Sequence, residues 1–332
     1  MREEAEAKIG IVGTGFIARG LSYSLRNDES LEISRVLTRR KPEQVCDLAV
    51  NNCQITNSIQ ELVDTSDIVV ECSGDPIYAT KVLLAVMDAG IPVVTMDSEL
   101  QVTTGSWLAR KGLITEAEGD QPGSIAALHH EVLAMGFEPI VLGNIKGFLN
   151  HTPTEDEMKY WAGRSGISLE QVTSFTDGTK IQIEQTLVAN GLGAEIAQRG
   201  LIGVECVDYQ DGAKKLAENA DSLGLKISDY VLSPKSPAGV LLNNGENPHA
   251  SVATVAKRRL FPGEVLKRGI GSFTVRGEAV KIADYPEHLP IGLVFDVVLK
   301  RYVEPGQIIT FDDIEIPESQ ALVAWQETIK QK

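Results

Sequence analysis

Residues 8–18 read KIGIVGTGFIA, and this stretch decides the fold. Ile9–Val12 is a short apolar run of the kind that forms a strand buried on both faces. It passes directly into Gly13-Thr14-Gly15, and Phe16-Ile17-Ala18 opens a segment with helical spacing that continues to Leu25. Strand, glycine turn and helix in that order form a dinucleotide-binding fingerprint. Gly13 permits the tight turn, Gly15 lets the backbone approach a pyrophosphate, and Ala18 is the small residue needed where helix meets strand. The first turn, with Phe16 and Ile17, offers unpaired N–H groups and a positive dipole end to phosphate.

Outward from that turn, apolar runs alternate with helical stretches. Leu31–Leu37, Asp67–Cys72 and Pro92–Met96 read as strands, with helices expected over Ile59–Asp64 and Ile77–Gly90. The alternation predicts an α/β protein whose N-terminal Rossmann domain, residues 1–145, is a doubly wound parallel sheet. The middle is less regular: a polar segment at Ser174–Lys180, a helix through Asn190 and another over Gly212–Leu223. An α+β domain for substrate and oligomerisation is expected at 146–250, with Ser233–Pro248 as a loop or boundary. In 251–332 short strands surround a Pro-Gly turn and Thr310–Asp313 starts a helix, which suggests a small β-rich module.

The chain has 332 residues and a formal net charge of -15, a field that repels nucleic acid and anionic membranes. Its expected partner is a small-molecule substrate, and an anionic one must be met by local cations. No apolar stretch approaches the ~20 residues of a membrane span, and MREEAEAK lacks the pattern of a signal peptide. Cys46, Cys53, Cys72 and Cys206 show no paired spacing, so reduced thiols in the cytoplasm are expected. A homo-oligomer is expected from the prevalence of symmetric assemblies.

The end of the second strand selects the cofactor. An NAD site usually has an acid there, but this chain reads Thr38-Arg39-Arg40-Lys41. Two guanidinium groups suit a 2′-phosphate, which points to NADP(H). Ser73 and Gly74, past the third strand, and Glu99, past the fourth, are expected on the nicotinamide side.

Hydride transfer to a carbonyl leaves an oxyanion that a positioned acid or cation must meet. The densest set of such groups is Asp177-Gly-Thr-Lys180-Ile-Gln-Ile-Glu184. As a helix it puts Lys180 and Glu184 on one face, and as a strand it would do the same. Lys146, between glycines in Gly143–Gly147, and the Gly119–Gly123 turn with Asp120 are further polar loops. A divalent metal would be needed only for carbon-skeleton rearrangement, with Asp177, Glu184 and Glu99 as oxygen donors. His129-His130 lacks the second helical histidine of a zinc site and reads as structural.

With these residues laid out, the chain resembles the homoserine-dehydrogenase-like oxidoreductases that carry a C-terminal SAF domain, the 1-deoxy-D-xylulose 5-phosphate reductoisomerase-like group. The carriers are Gly13-Thr-Gly15, DSELQVTTG (97–105), GDQPG (119–123), SFTDGTKIQIEQTLVAN (174–190), His288–Leu293 and Lys300–Ile316. The resemblance implies catalytic roles for Lys180, Glu184, Asp177 and Lys146, and substrate contacts for Asp120 and Asn190. It also implies that the C-terminal module is SAF-like. Pro234–Lys257 is shorter than in longer relatives and keeps only Pro248-His249 of their Pro-Tyr-His segment. The substrate is therefore not carried over.

The leading expectation is an NADP-dependent dehydrogenase or reductase acting on a small polar carbonyl or hydroxy metabolite. Lys180 would donate the proton, oriented by Glu184, with Asp177 and Lys146 on the substrate. A reductoisomerase of a sugar phosphate is the alternative within the class. A dinucleotide sensor without catalysis is the alternative outside it.

Overall fold

The structure, a computed structural model, describes residues 7–117, 119, 121–233 and 248–330. Asp120 and most of the loop expected over Ser233–Pro248 lie outside the described residues.

The N-terminal part is a six-stranded parallel sheet: β1 (Ala7–Val12), β2 (Leu31–Leu37), β3 (Ile55–Thr56), β4 (Ile68–Glu71), β5 (Val93–Thr95) and β6 (Ile114–Glu116). The strand order is β3-β2-β1-β4-β5-β6, the doubly wound Rossmann arrangement. Its crossovers include α1 (Phe16–Leu25), α2 (Ile59–Thr65) and α3 (Pro76–Asp88). After β5 come two short helical pieces, α4 (Ser98–Leu100) and α5 (Ser106–Ala109), joined by a π-helical stretch over Gln101–Gly105. One face of the sheet buries Val12, Leu37 and Val69 against Leu62, Leu83 and Val86. The other buries Ile9, Ile11 and Ile33 against Ala18.

A second layer begins with α6 (Gln121–Ala134) and β7 (Val141–Lys146). It continues through α7 (Glu155–Ser165), α8 (Leu169–Thr176), α9 (Thr179–Leu192), β8 (Val204–Glu205), α10 (Tyr209–Leu223) and β9 (Ile227–Leu232). The three strands form a parallel sheet in the order β7-β9-β8. β7 runs in register with β9 from Val141↔Ile227 to Lys146↔Leu232. The unit thus starts at α6, and the boundary expected at 145/146 falls inside a strand.

Helix α9 is the axle of this layer. Ten of its residues are buried, from Thr179 to Ala189. A helix buried all round must satisfy its polar side chains internally. Gln182 donates to Gly200 O and accepts from Ala279 N–H. Gln185 donates to Leu142 O, and Thr179 accepts from Gly277 N–H.

The C-terminal part is β-rich: β10 (Ala250–Ala256) pairs antiparallel with β12 (Val275–Lys281). A second sheet joins β11 (Val265–Arg268), β13 (Phe295–Leu299) and β14 (Ile314–Glu315) in the order β11-β13-β14. Thr310 caps the short helical turn Phe311–Asp313 in a capping box, as its sequence signal predicts. The chain then returns: α11 (Gln320–Lys330) lies against α3 and α5, with Ala324 in the Rossmann core. One hydrophobic cluster holds Val102 and Ile183 together with Leu266, Val297 and Trp325, so the three parts share a core.

Candidate active site

A cavity of about 960 Å³ opens where the three parts meet. Its lining runs from Thr14–Ile17 and Arg19, through Ser73, Gly74, Asp97 and Glu99, to Lys146, Lys180, Glu184 and Arg268.

The turn after β1 has the shape a dinucleotide needs. Gly13 has φ +114, and a Cβ there would lie 2.9 Å from the Cys72 carbonyl oxygen, so this position requires glycine. At Gly15 nothing lies within 4 Å of an added Cβ, which leaves the backbone open to a ligand. Among the described residues no side chain caps the first turn of α1, and that turn contains no acid. Its N–H groups are thus available to an anion. Phe16 and Ile17 line the cavity, whereas Ala18 is fully buried between helix and sheet. These residues fit a bound dinucleotide.

Arg39 and Arg40 flank this turn rather than line the cavity. Arg39 pairs with Asp75 at 2.7 Å and stacks over the Tyr78 ring at 4.5 Å. The Arg40 guanidinium donates to Thr14 O at 3.0 Å, across the glycine turn. Asp75 also caps α3, accepting from Ile77 and Tyr78 N–H.

On the far side, one buried carboxylate organises two lysines. Lys146 Nζ lies 2.8 Å from Glu184 Oε2, and Lys180 Nζ lies 3.8 Å from Oε1. Asn144 donates to Oε2 at 2.9 Å, and Lys180 donates to Ser98 Oγ at 2.6 Å. Lys180 and Glu184 share a face because they stand one helical turn apart on α9. Asn144 and Lys146 share a face because they alternate on β7. Both ammonium groups thus face the cavity from the two oxygens of one carboxylate.

The strand ends bring acids to the same wall. Glu71 is fully buried and accepts from Ser73 N–H at 2.7 Å and Thr95 Oγ at 3.0 Å. Burial pushes its carboxyl up. Burial, with Glu71 and Glu99 nearby, holds Asp97 well above the usual carboxylate range. Burial beside Glu71 and Asp97 likewise pushes the Cys72 thiol up, which makes it a poor nucleophile.

Two expected site residues sit elsewhere. Asp177 is buried and its carboxylate meets Lys257 Nζ at 2.7 Å and Thr179 N–H at 2.8 Å. It does not line the cavity; it ties the C-terminal module to the α8–α9 corner. Asn190 accepts from His249 and Ala250 N–H and donates to Ala250 O, which pins the start of β10. It too is absent from the cavity wall. Among the described residues no three histidine, cysteine or acidic side chains are grouped to hold a metal, and Asp177, Glu184 and Glu99 do not converge. Asn144, Ser98 and Asp97 were not singled out from the sequence. Asn144 carried a period-two spacing from Lys146, and Asp97 and Ser98 begin the DSELQVTTG stretch that carries the resemblance.

The fold and the glycine turn define an α/β protein of the Rossmann type, with a dinucleotide-binding fingerprint. Residues 13–110 match the family model for the NAD binding domain of homoserine dehydrogenase, and residues 119–249 match that for the catalytic domain of oxidoreductase DRL. The second match begins at Gly119, between β6 and α6, where the second layer begins. Solved structures with similarity include a homoserine dehydrogenase from S. aureus, at 17% identity and TM-score 0.36, covering 55% of this chain and 51% of that one. Another is a homoserine dehydrogenase from Thiobacillus denitrificans, at 16% identity and TM-score 0.37, covering 56% and 48%. A third is UDP-N-acetylglucosamine 3-dehydrogenase GnnA from Acidithiobacillus ferrooxidans, at 16% identity and TM-score 0.38, covering 61% and 62%. The chain thus spans roughly half to three-fifths of the length of these structures. No curated protein shows significant similarity to it.

Proposed function

We propose that this chain is an NADP(H)-dependent oxidoreductase that reduces a small polar carbonyl, or oxidises the corresponding alcohol. The observation that carries this reading is the single cavity lined both by Thr14–Ile17 and by Lys146, Lys180 and Glu184. A bound nicotinamide supplies or accepts the hydride. Lys180 holds a proton at Nζ, steadied by Ser98 and Glu184, and delivers it to the substrate oxygen as negative charge grows there. Lys146, on the other oxygen of Glu184, is the second cation facing that charge. Glu184 keeps both lysines turned to the cavity, and Asn144 fixes its orientation.

The choice of NADP rests on Arg39 and Arg40 beside the glycine turn. Arg40 already reaches Thr14 O, and Arg39 can exchange its exposed bond with Asp75 for a 2′-phosphate. The test is a screen of small hydroxy acids, amino alcohols and ketose phosphates with each nicotinamide cofactor, run on wild-type protein and Lys180→Ala. Turnover in wild type that Lys180→Ala loses while still binding dinucleotide supports the reading. Dinucleotide binding without turnover on any substrate would instead favour a sensor.

A further inference from the structure

We propose that Arg268, delivered by the C-terminal β module, is the residue that recognises an oxyanion on the substrate, a carboxylate or phosphate away from the reacting carbon. The inference rests on the oxidoreductase reading above and names the chemical class of its substrate. Arg268 ends β11 and lines the same cavity as the glycine turn and the two lysines.

Its bonding sets it apart from its neighbours. Lys257, Arg258, Arg259, Lys267, Arg276 and Arg301 each pair with a carboxylate. Among the described residues Arg268 joins no ion pair. Its one hydrogen bond is from Nη2 to Gly74 O, at 2.9 Å, on the loop after β4. A guanidinium has five N–H donors, so a fork remains for a planar or tetrahedral anion. In a chain with 46 acids and 31 lysines and arginines, this cavity-facing arginine with no carboxylate partner among the described residues, fixed by a single bond to Gly74 O, is free to take an anion from outside.

The placement is built rather than incidental. A Cβ on Gly269 would run into Ile291 O, and one on Gly271 into Glu170 O, so the turn after Arg268 is pressed between the Ile291–Leu293 turn and α8. Lys257 spans Asp177 and Ser272 O, at 2.7 and 2.6 Å, and clamps the same turn to the α8–α9 corner. The buried Asp177 therefore acts at a distance, by holding the module that carries Arg268.

The experiment titrates the full chain with inorganic phosphate and, separately, with acetate, by calorimetry, in the free form and saturated with NADPH. Saturation fills the phosphate sites of the glycine turn, so anion binding that persists reports the substrate end. Wild type is expected to bind at least one anion in the saturated form, and the arm that responds identifies phosphate or carboxylate. Arg268→Gln should weaken that binding by about tenfold or more, with Arg268→Lys between the two and NADPH affinity unchanged. Equal anion affinity in wild type and Arg268→Gln, or no anion binding to saturated wild type, overturns the proposal. So does a matching loss of NADPH affinity in Arg268→Gln, which would assign the arginine to the cofactor. Failure of wild type to bind any dinucleotide would defeat the oxidoreductase reading instead, and the free-form titrations would still report on Arg268.

Discussion

Burial of Asp97 beside Glu71 and Glu99 lets the folded protein keep a proton that the unfolded chain releases. Stability from this group is complete below the unfolded value of 3.8 and is lost as pH rises through the higher folded value. Asp97→Asn removes the titration and keeps an acceptor for Leu100 N–H, which Oδ1 holds at 3.0 Å. Melting curves should show the variant gaining on wild type as pH rises from about 4; a constant difference between the two would refute the assignment. In the proposed reaction Lys180 is the proton donor. Lys180→Ala should lower kcat by about 10²–10⁴-fold and leave dinucleotide affinity within experimental error. An equal loss of both would show that Lys180 serves binding and not proton transfer.

Helix α9 does two jobs at its two ends: its first turns hold Lys180 and Glu184 at the cavity, and its last turn pins β10 through Asn190. Asn190→Ala should cost about 1–3 kcal/mol in urea unfolding, while KM stays constant. A raised KM with unchanged stability would restore Asn190 to the substrate. The alternation of Ile181 and Ile183 fits strand and helix alike because α9 is buried on every side and shows no amphipathic stripe. The Rossmann strands were legible for the opposite reason. Parallel strands covered on both faces give unbroken apolar runs such as Ile9–Val12 and Ile68–Val70. β3 and β8, two residues each, and β6, three residues, are too short for any period to register.

At the scale of the molecule, the cavity draws on segments that the sequence keeps far apart. Thr14, Lys146, Lys180 and Arg268 converge only through the shared core and the return of α11 onto α3 and α5. Composition and local spacing carry Lys180 with Glu184, which are one turn apart. They carry nothing of Lys146 with Glu184, which depends on β7 lying beside α9. The same holds for Asp177, whose partner Lys257 is 80 residues away: the sequence near Asp177 shows one member of a buried pair and not the other. The central claim is that the turn at Gly13–Ala18 holds a nicotinamide dinucleotide, with the Arg39-Arg40 pair choosing the phosphorylated form. Fluorescence titration of the purified protein with NADPH and NADH, beside an Arg39→Ala/Arg40→Ala double variant, tests it most directly. The account predicts tighter binding of NADPH than of NADH, and a loss of about 10–100-fold in NADPH affinity in the double variant with NADH little changed. Failure of both dinucleotides to bind wild type would contradict it.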